Sequence, residues 1–505
     1  MLFSSIISAA LSALLLAPMG LVQAAPTIEG TLAVVDGDLL TLAYTTTDPY
    51  KTNWIGLYPA SGGAPVNEQP VSGSLVWKYA PDAKGTIQLD VMSLAAGEYV
   101  ACFLARDGYK YLASQVKVTI KGNTAPPGFG FIVPSITLRN ARQGDPYEYD
   151  ISGLLIGGTL VTFQKWDGDD WVDVSSKGLI SGTPGKTDKD STVIVRATSS
   201  DRATSDLKVT IPVRKAGTTL VAQMKIMTFN LWVGGTHVND YHKKQIRFVV
   251  DTNADIIGLQ EATGGHTKRL ATALGWYYWQ PSSGDLGVIS RYPIVQDYGT
   301  VNASGGIRIA LDGEAQQINF WDIHLGYTPY GPYDFCFDKM TVEKVLQREA
   351  QSGRTPQITD TLKAMAPQLA PAASNKIPVI MVGDTNAPSH LDWVEKLRAK
   401  NCGYAGVPWP TSVQPAQAGM IDSYRVAHPD PVGFPGTTWS PLYPFNQGAT
   451  GKPEPQDRID FIYHKGRLTV VDSTVLVVGS PKPSGSHQNN DWTSDHAAVL
   501  TTYRF

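Results

Sequence analysis

The sequence predicts a chain in three parts: two small all-β sandwiches, then a larger α/β domain built in layers. Three observations carry that reading. Thr27 to Ile120 and Phe131 to Val213 alternate apolar and polar residues between turn signals, the period of half-buried strands. From Met224 to Phe505 short β-branched runs interleave with runs of helical period. Stretches rich in Pro and Gly, such as Lys121 to Gly130, separate the parts. A length of 505 residues also suggests about three domains.

The elements follow in order. Residues 1–24 are read as a signal peptide, an apolar stretch ending in Val22-Gln23-Ala24. Pro18 and Gly20 interrupt it, and it is short for a spanning helix. No later segment is apolar enough to cross a membrane, so the mature chain is expected to be secreted and extracellular, without a transmembrane segment. Residues 25–121 form the first β-sandwich, with Trp54-Ile-Gly-Leu-Tyr58 and Gly97 to Cys102 as strands. Its Trp-Ile-Gly-Leu-Tyr string resembles a class of immunoglobulin-like modules. Residues 128–214 form the second, where Trp171 to Pro184 resembles a putative-immunoglobulin repeat with a hairpin turn. Asp167-Gly168-Asp169-Asp170 lacks the spaced ligands of a calcium loop and reads as a solvated turn. Of three cysteines, Cys102 lies in an apolar strand and is expected as a buried thiol. Cys336 and Cys402, in loop-like sequence of the third part, are expected to pair in an oxidising compartment. Asn302-Ala303-Ser304 is a glycosylation sequon.

Residues 222–505 hold the chemistry. Ile358, Leu362, Met365 and Leu369 fall on one helix face, and Ile246, Val249 and Val250 on another. Polar residues follow or interrupt the strand-like runs: Asn230, Glu261, His324, Asp384 with Asn386, Asp460, and Asp495 with His496. Strand ends carrying carboxylates, amides and imidazoles that converge on one sheet rim make a metal-assisted hydrolase. The strings Met-Thr-Phe-Asn230, Gln260-Glu261, Gly-Asp384-Thr-Asn386, Arg458-Ile-Asp460 and Ser-Asp495-His496 resemble the endonuclease/exonuclease/phosphatase superfamily. Thr385 departs from it, standing where an aromatic is common.

The resemblance implies the four-layer α/β sandwich of deoxyribonuclease I, with two mostly antiparallel sheets. It implies Glu261 as first ligand of a divalent cation, with Asn230 and Asp495 in support. Hard oxygen donors fit Mg²⁺, Mn²⁺ or Ca²⁺. It further implies His496 as acid/base, held by Asp460; Asp384 and Asn386 flanking the water and phosphate; and His324 serving the leaving group. It leaves open whether His496 or Asp384 activates the water. Arg425, His390 and Tyr327 lie in loops that bring them into reach as substrate contacts.

A formal net charge of −3 is nearly neutral for this length, which argues mildly against tight, non-specific DNA binding. The expected activity is phosphodiester hydrolysis by activated water, with extracellular nucleic acid leading. Sphingomyelin-type lipids or small and glycan-linked phosphodiesters come next, then a non-catalytic adhesion role. The β-modules are expected to space or anchor a monomer, and a chain beginning near Gln223 to fold alone.

Overall fold

The computed structural model describes residues 30–120, apart from 36–39, 90, 92–93 and 95–96, and residues 128–505, apart from 283 and 450. The expected signal peptide and most of the first linker lie outside the described residues. The chain forms two compact units, one up to residue 124 and one from 125 onward.

The first unit is all β. Thr31–Val35, Leu40–Thr45 and Lys84–Leu89 make one sheet; Val76–Tyr79, Trp54–Pro59, Gly97–Leu104 and Val116–Ile120 make another. Leu42, Tyr44, Ile55, Leu57 and Phe103 form its core. Cys102 is buried and free, its thiol pushed up to about 11 by that burial.

The second unit begins with the other β-rich stretch. Thr162–Gly168, Ser191–Thr198, Thr204–Ile211 and Ser135–Thr137 form its main sheet. The hairpin foreseen after Trp171 pairs Val172–Val174 with Leu179–Gly182. Asp167 and Asp169 accept turn and strand N–H groups in the solvated loop.

The catalytic part is a β-rich sandwich of two six-stranded sheets. The strands are β1 (Gln223–Asn230), β2 (Ile256–Gln260), β3 (Tyr277–Trp279), β4 (Gly287–Ser290), β5 (Ile294–Val301), β6 (Ser304–Asp312), β7 (Gln316–His324), β8 (Val379–Asp384), β9 (Ile421–Asp422), β10 (Asp460–Lys465), β11 (Thr469–Leu476) and β12 (Ala498–Arg504). One sheet runs β3-β4-β2-β1-β12-β11 and the other β5-β6-β7-β8-β10-β9. β2 and β8 are buried along their whole length, as short β-branched runs covered on both faces should be.

Ile226, Ile256, Val288, Ile307, Phe320, Ile380 and Ile462 fill the space between the sheets. The sheets meet closely at Gly258, where a Cβ would stand 2.3 Å from Val382. Helix α1 (Tyr241–Thr252) and helix α2 (His266–Leu274) pack on β1 and β2 through Ile246, Val249 and Leu270. Helix α3 (Arg354–Leu369) packs Ile358, Met365 and Leu369 on Trp321 and Met381. Both predicted helix faces are therefore the buried ones. Cys336 and Cys402 form the expected disulfide.

The preceding β-rich stretch is not loosely tethered to this sandwich. One apolar core runs from Ile132, Tyr149 and Leu154 into α1, α2 and Trp276. Tyr149 Oη donates to the Leu274 carbonyl at 2.6 Å and accepts from Trp276 Nε1 at 2.8 Å. Gly275 ends α2 at φ 69°, and a Cβ there would lie 2.0 Å from the Asp150 carbonyl. Arg142 reaches Asp312 across the same boundary. The expectation that a chain from Gln223 folds alone thus meets a shared core. Linker composition carried no sign of it.

Candidate active site

The site forms where a parallel strand pair in each of the two sheets ends. β1 and β2 run side by side with Asn230 opposite Gln260, so Glu261 emerges next to Asn230. β7 and β8 place His324 opposite Asp384, and antiparallel β10 sets Asp460 opposite Asp384. Gln260 joins the sheets by donating to Asp322 at 2.6 Å; burial keeps that carboxyl well above its usual range. Ser494 Oγ donates to the Asn230 carbonyl and accepts from the His496 amide, tying the last motif to the first.

Asp384 stands between two imidazoles. His324 Nε2 and His496 Nε2 each lie 3.7 Å from its Oδ2. Each imidazole has its own carboxylate on the far nitrogen: Asp460 at 3.0 Å from His496 Nδ1, and Asp285 at 2.9 Å from His324 Nδ1. Burial alone would favour neutral rings. The bond to Asp285 and the charges of Asp384 and Glu261 outweigh it, holding His324 at about 9. His496 is likewise held well above its ordinary value by Asp460 and Asp384. Burial lifts Asp384 to about 6, against the pull of both imidazoles.

Glu261 sits at φ 55°, accepting from the Val233 amide at 2.7 Å and from Asn230 Nδ2 at 3.3 Å. Asp495 is buried, and its Oδ1 has no hydrogen-bond partner. Burial, with the charges of Glu261 and Asp384, raises its carboxyl to about 7 despite His496. The carboxylates of Glu261, Asp285, Asp384, Asp460 and Asp495 outnumber the two imidazoles, a surplus of hard oxygen that fits a divalent cation. Asp384, Asp460 and His496 also present ligand atoms within 4.8 Å of one another. Asp460 and Asp285 are hydrogen-bonded to the imidazoles and Asp384 is ion-paired with both; among the described residues Glu261 and Asp495 are the pocket carboxylates in no ion pair.

Several predicted residues take other roles. Asn230 Oδ1 accepts from the Trp232 amide, which turns its Nδ2 toward Glu261 and Asp384 at 3.3 and 3.2 Å. Its amide N–H groups thus bridge two carboxylates, while Oδ1, with one of its two lone pairs used, stays beside them. Arg425 is corrected: its guanidinium is buried on Asp392 and on the carbonyls of His428, Phe434 and Pro435, leaving no fork for a phosphate. His390 faces Ser412 Oγ. Among the described residues no hydrogen bond or ion pair joins Arg425 or His390 to Asp384, His324 or His496. Tyr327, three residues past His324, is 73% exposed. Asn386 stands at φ 49°, its side-chain amide donating to the Leu325 carbonyl at 3.0 Å. Thr385 is buried with its hydroxyl on the carbonyls of Ala387 and Ile459, so the smaller residue keeps the Asp384–Asn386 turn in place.

Two contributors, Asp285 and Trp439, escaped the sequence reading. Asp285 follows Ser-Ser-Gly and ends no apolar strand-like run. Trp439, with its ring centre 5.0 Å from that of His496, lies in a stretch rich in Pro and aromatic residues, outside the polar-ended runs. Arg458 is buried on Asp392 and Asp422 and anchors the start of β10.

Paired His–Asp units around an acidic pocket on a two-sheet sandwich define a phosphoester hydrolase. Residues 227–496 match the Endonuclease/Exonuclease/phosphatase family, and the chain belongs to it. Members are hydrolases acting on phosphoester bonds and generally use divalent metal ions. The chain is similar to the uncharacterised protein F14F9.5 of Caenorhabditis elegans, 34% identical over 294 residues, spanning 56% of this chain and 91% of that one. Similar solved structures include truncated Caenorhabditis elegans TDP2, with TM-score 0.37, 16% identity, and 56% of this chain and 98% of that chain covered. Another is Bacteroides thetaiotaomicron mannosyl-6-phosphatase, with TM-score 0.35, 15% identity, and 56% and 100% covered.

Proposed function

We propose that the protein is a secreted, divalent-metal-dependent phosphodiesterase whose leading substrate is extracellular nucleic acid. The observation that carries the reading is the placement of two imidazoles, each with its own carboxylate, 3.7 Å from the same oxygen of Asp384. Hydrolysis of a phosphodiester needs one group to take a proton from water and another to give one to the leaving oxygen. Asp384 and His496 bracket the place for the water, and His324, charged at neutral pH, is the proton donor to the leaving group. Glu261 and Asp495 would hold the cation, Mg²⁺ or Mn²⁺ first. When bound it would neutralise phosphate charge and polarise the P–O bonds. Trp439 packs its ring against His496. In this reading the sandwich is the full four-layer form, and the N-terminal β-regions are immunoglobulin-like modules that anchor a monomer.

A second reading, a sphingomyelin-type lipid or glycan-linked phosphodiester, draws on a specific observation. Arg425 and Arg458 are consumed by Asp392 and Asp422, so neither can track a polyphosphate backbone. One panel decides: DNA, RNA, sphingomyelin and bis-nitrophenyl phosphate, with and without chelator. Hydrolysis should vanish on exhaustive chelation and return with Mg²⁺ or Mn²⁺. Full activity in chelator would overturn the metal reading, and the preferred substrate separates the two classes.

A further inference from the structure

We propose that the protein carries a second ligand site, away from the catalytic pocket, that takes a phosphate monoester of a ring compound. A cleft of about 530 Å³ lies between the outer face of the β5-β6-β7 strands and α3. Its polar lining is made of donors. Asn319 Oδ1 accepts from Tyr298 Oη at 2.6 Å and from Arg308 Nε at 3.1 Å. An Arg N–H can only donate, so the amide orientation is fixed and Asn319 Nδ2 is left as a donor on the cleft wall, in a residue only 2% exposed. Gln368 Oε1 is taken by Trp321 Nε1 at 2.8 Å, leaving Nε2 as a further donor. Among the described residues neither Arg308 nor Lys376 has an acidic partner, and none of the lining residues is Asp or Glu.

Two unpaired cations and a fixed buried amide donor suit a group with two negative charges and three acceptor oxygens, which is a phosphate monoester. Next to them the Tyr298 ring, backed by Trp321 with the two planes within 7°, gives an apolar wall with Pro367 and Ile377. That wall suits a ring on the ester. The ligand would not be the substrate. Trp321 and His324 are three residues apart on β7, so their side chains leave opposite faces of the sheet. Trp321 joins the core under α3, and His324 faces Asp384.

The test uses phenylphosphonate, a non-hydrolysable ring phosphonate, titrated calorimetrically into the full chain. Turnover on bis-nitrophenyl phosphate is measured on the same preparations. Binding is expected to be saturable and to weaken by about tenfold or more in Arg308→Gln and in Lys376→Gln, the loss of a hydrogen bond to a charged group. Methylphosphonate, lacking the ring, should bind more weakly, and turnover should not change. Lys376 is exposed, so its variant keeps the fold and reads the site even where Arg308→Gln does not. No binding to the wild type, equal affinity in Lys376→Gln, or displacement of phenylphosphonate by the diester substrate would each overturn the proposal.

Discussion

Replacing Tyr149 by Phe tests whether the β-rich stretch before the catalytic sandwich is part of its core. The substitution removes one oxygen from a site where Tyr149 and Trp276 are 5% and 7% exposed. That oxygen serves two groups at once, accepting from Trp276 Nε1 and donating to the Leu274 carbonyl at the end of α2. Helix-end carbonyls have no partner within the helix, so Leu274 depends on this bond. Each buried group left unsatisfied costs about 1–3 kcal/mol, and relief from desolvating the tyrosine hydroxyl offsets part of it, leaving a net loss of about 2–4 kcal/mol. With a urea slope of about 3 kcal/mol per molar, the unfolding midpoint should fall by roughly 1 M. Urea unfolding followed by tryptophan fluorescence reads this, with turnover in native buffer retained. By the same reasoning a fragment starting at Gln223 exposes the apolar faces of α1 and α2 and should aggregate. A midpoint within about 0.2 M of wild type, or a soluble, active fragment, would refute the shared core as a stabilising element.

Three further outcomes are expected. His496→Ala should lose about two to four orders of magnitude in turnover, Asp460→Asn much of that, and the double variant little more than His496→Ala; near-wild-type turnover in His496→Ala would make Asp384 the sole activator of water. Asp285→Asn removes the neighbour that holds His324 at about 9, so the alkaline limb of the pH–rate profile should move to lower pH; superimposable profiles would remove His324 as the proton donor. His464 is buried on Ser423 and pushed down to about 4, so the folded chain refuses a proton that the unfolded chain takes up near 6.5. Its contribution is complete above 6.5 and is lost as pH falls toward 4, up to about 3 kcal/mol, so His464→Gln should flatten the stability profile in that window alone.

What the sequence determined by itself are features written in neighbouring residues. β-branched runs ending in Asn230, Glu261, His324, Asp384 and Asp460 are strands with polar ends, and apolar steps of three and four mark the buried faces of α1 and α3. The Cys336–Cys402 pairing followed from the two cysteines sharing loop-like sequence in one domain. The tertiary structure decided what depends on atoms brought together from distant positions. Asp285 becomes the partner of His324 only when the loop before β4 meets the end of β7. Asn230 is oriented by a backbone amide two residues on, so that its Nδ2 meets Glu261 and Asp384, and Arg425 is spent on Asp392 and three carbonyls before any substrate arrives. Residue type fixes what a side chain can donate or accept. Which of those capacities remains free is settled by packing, because a buried polar group must find its partner inside the fold.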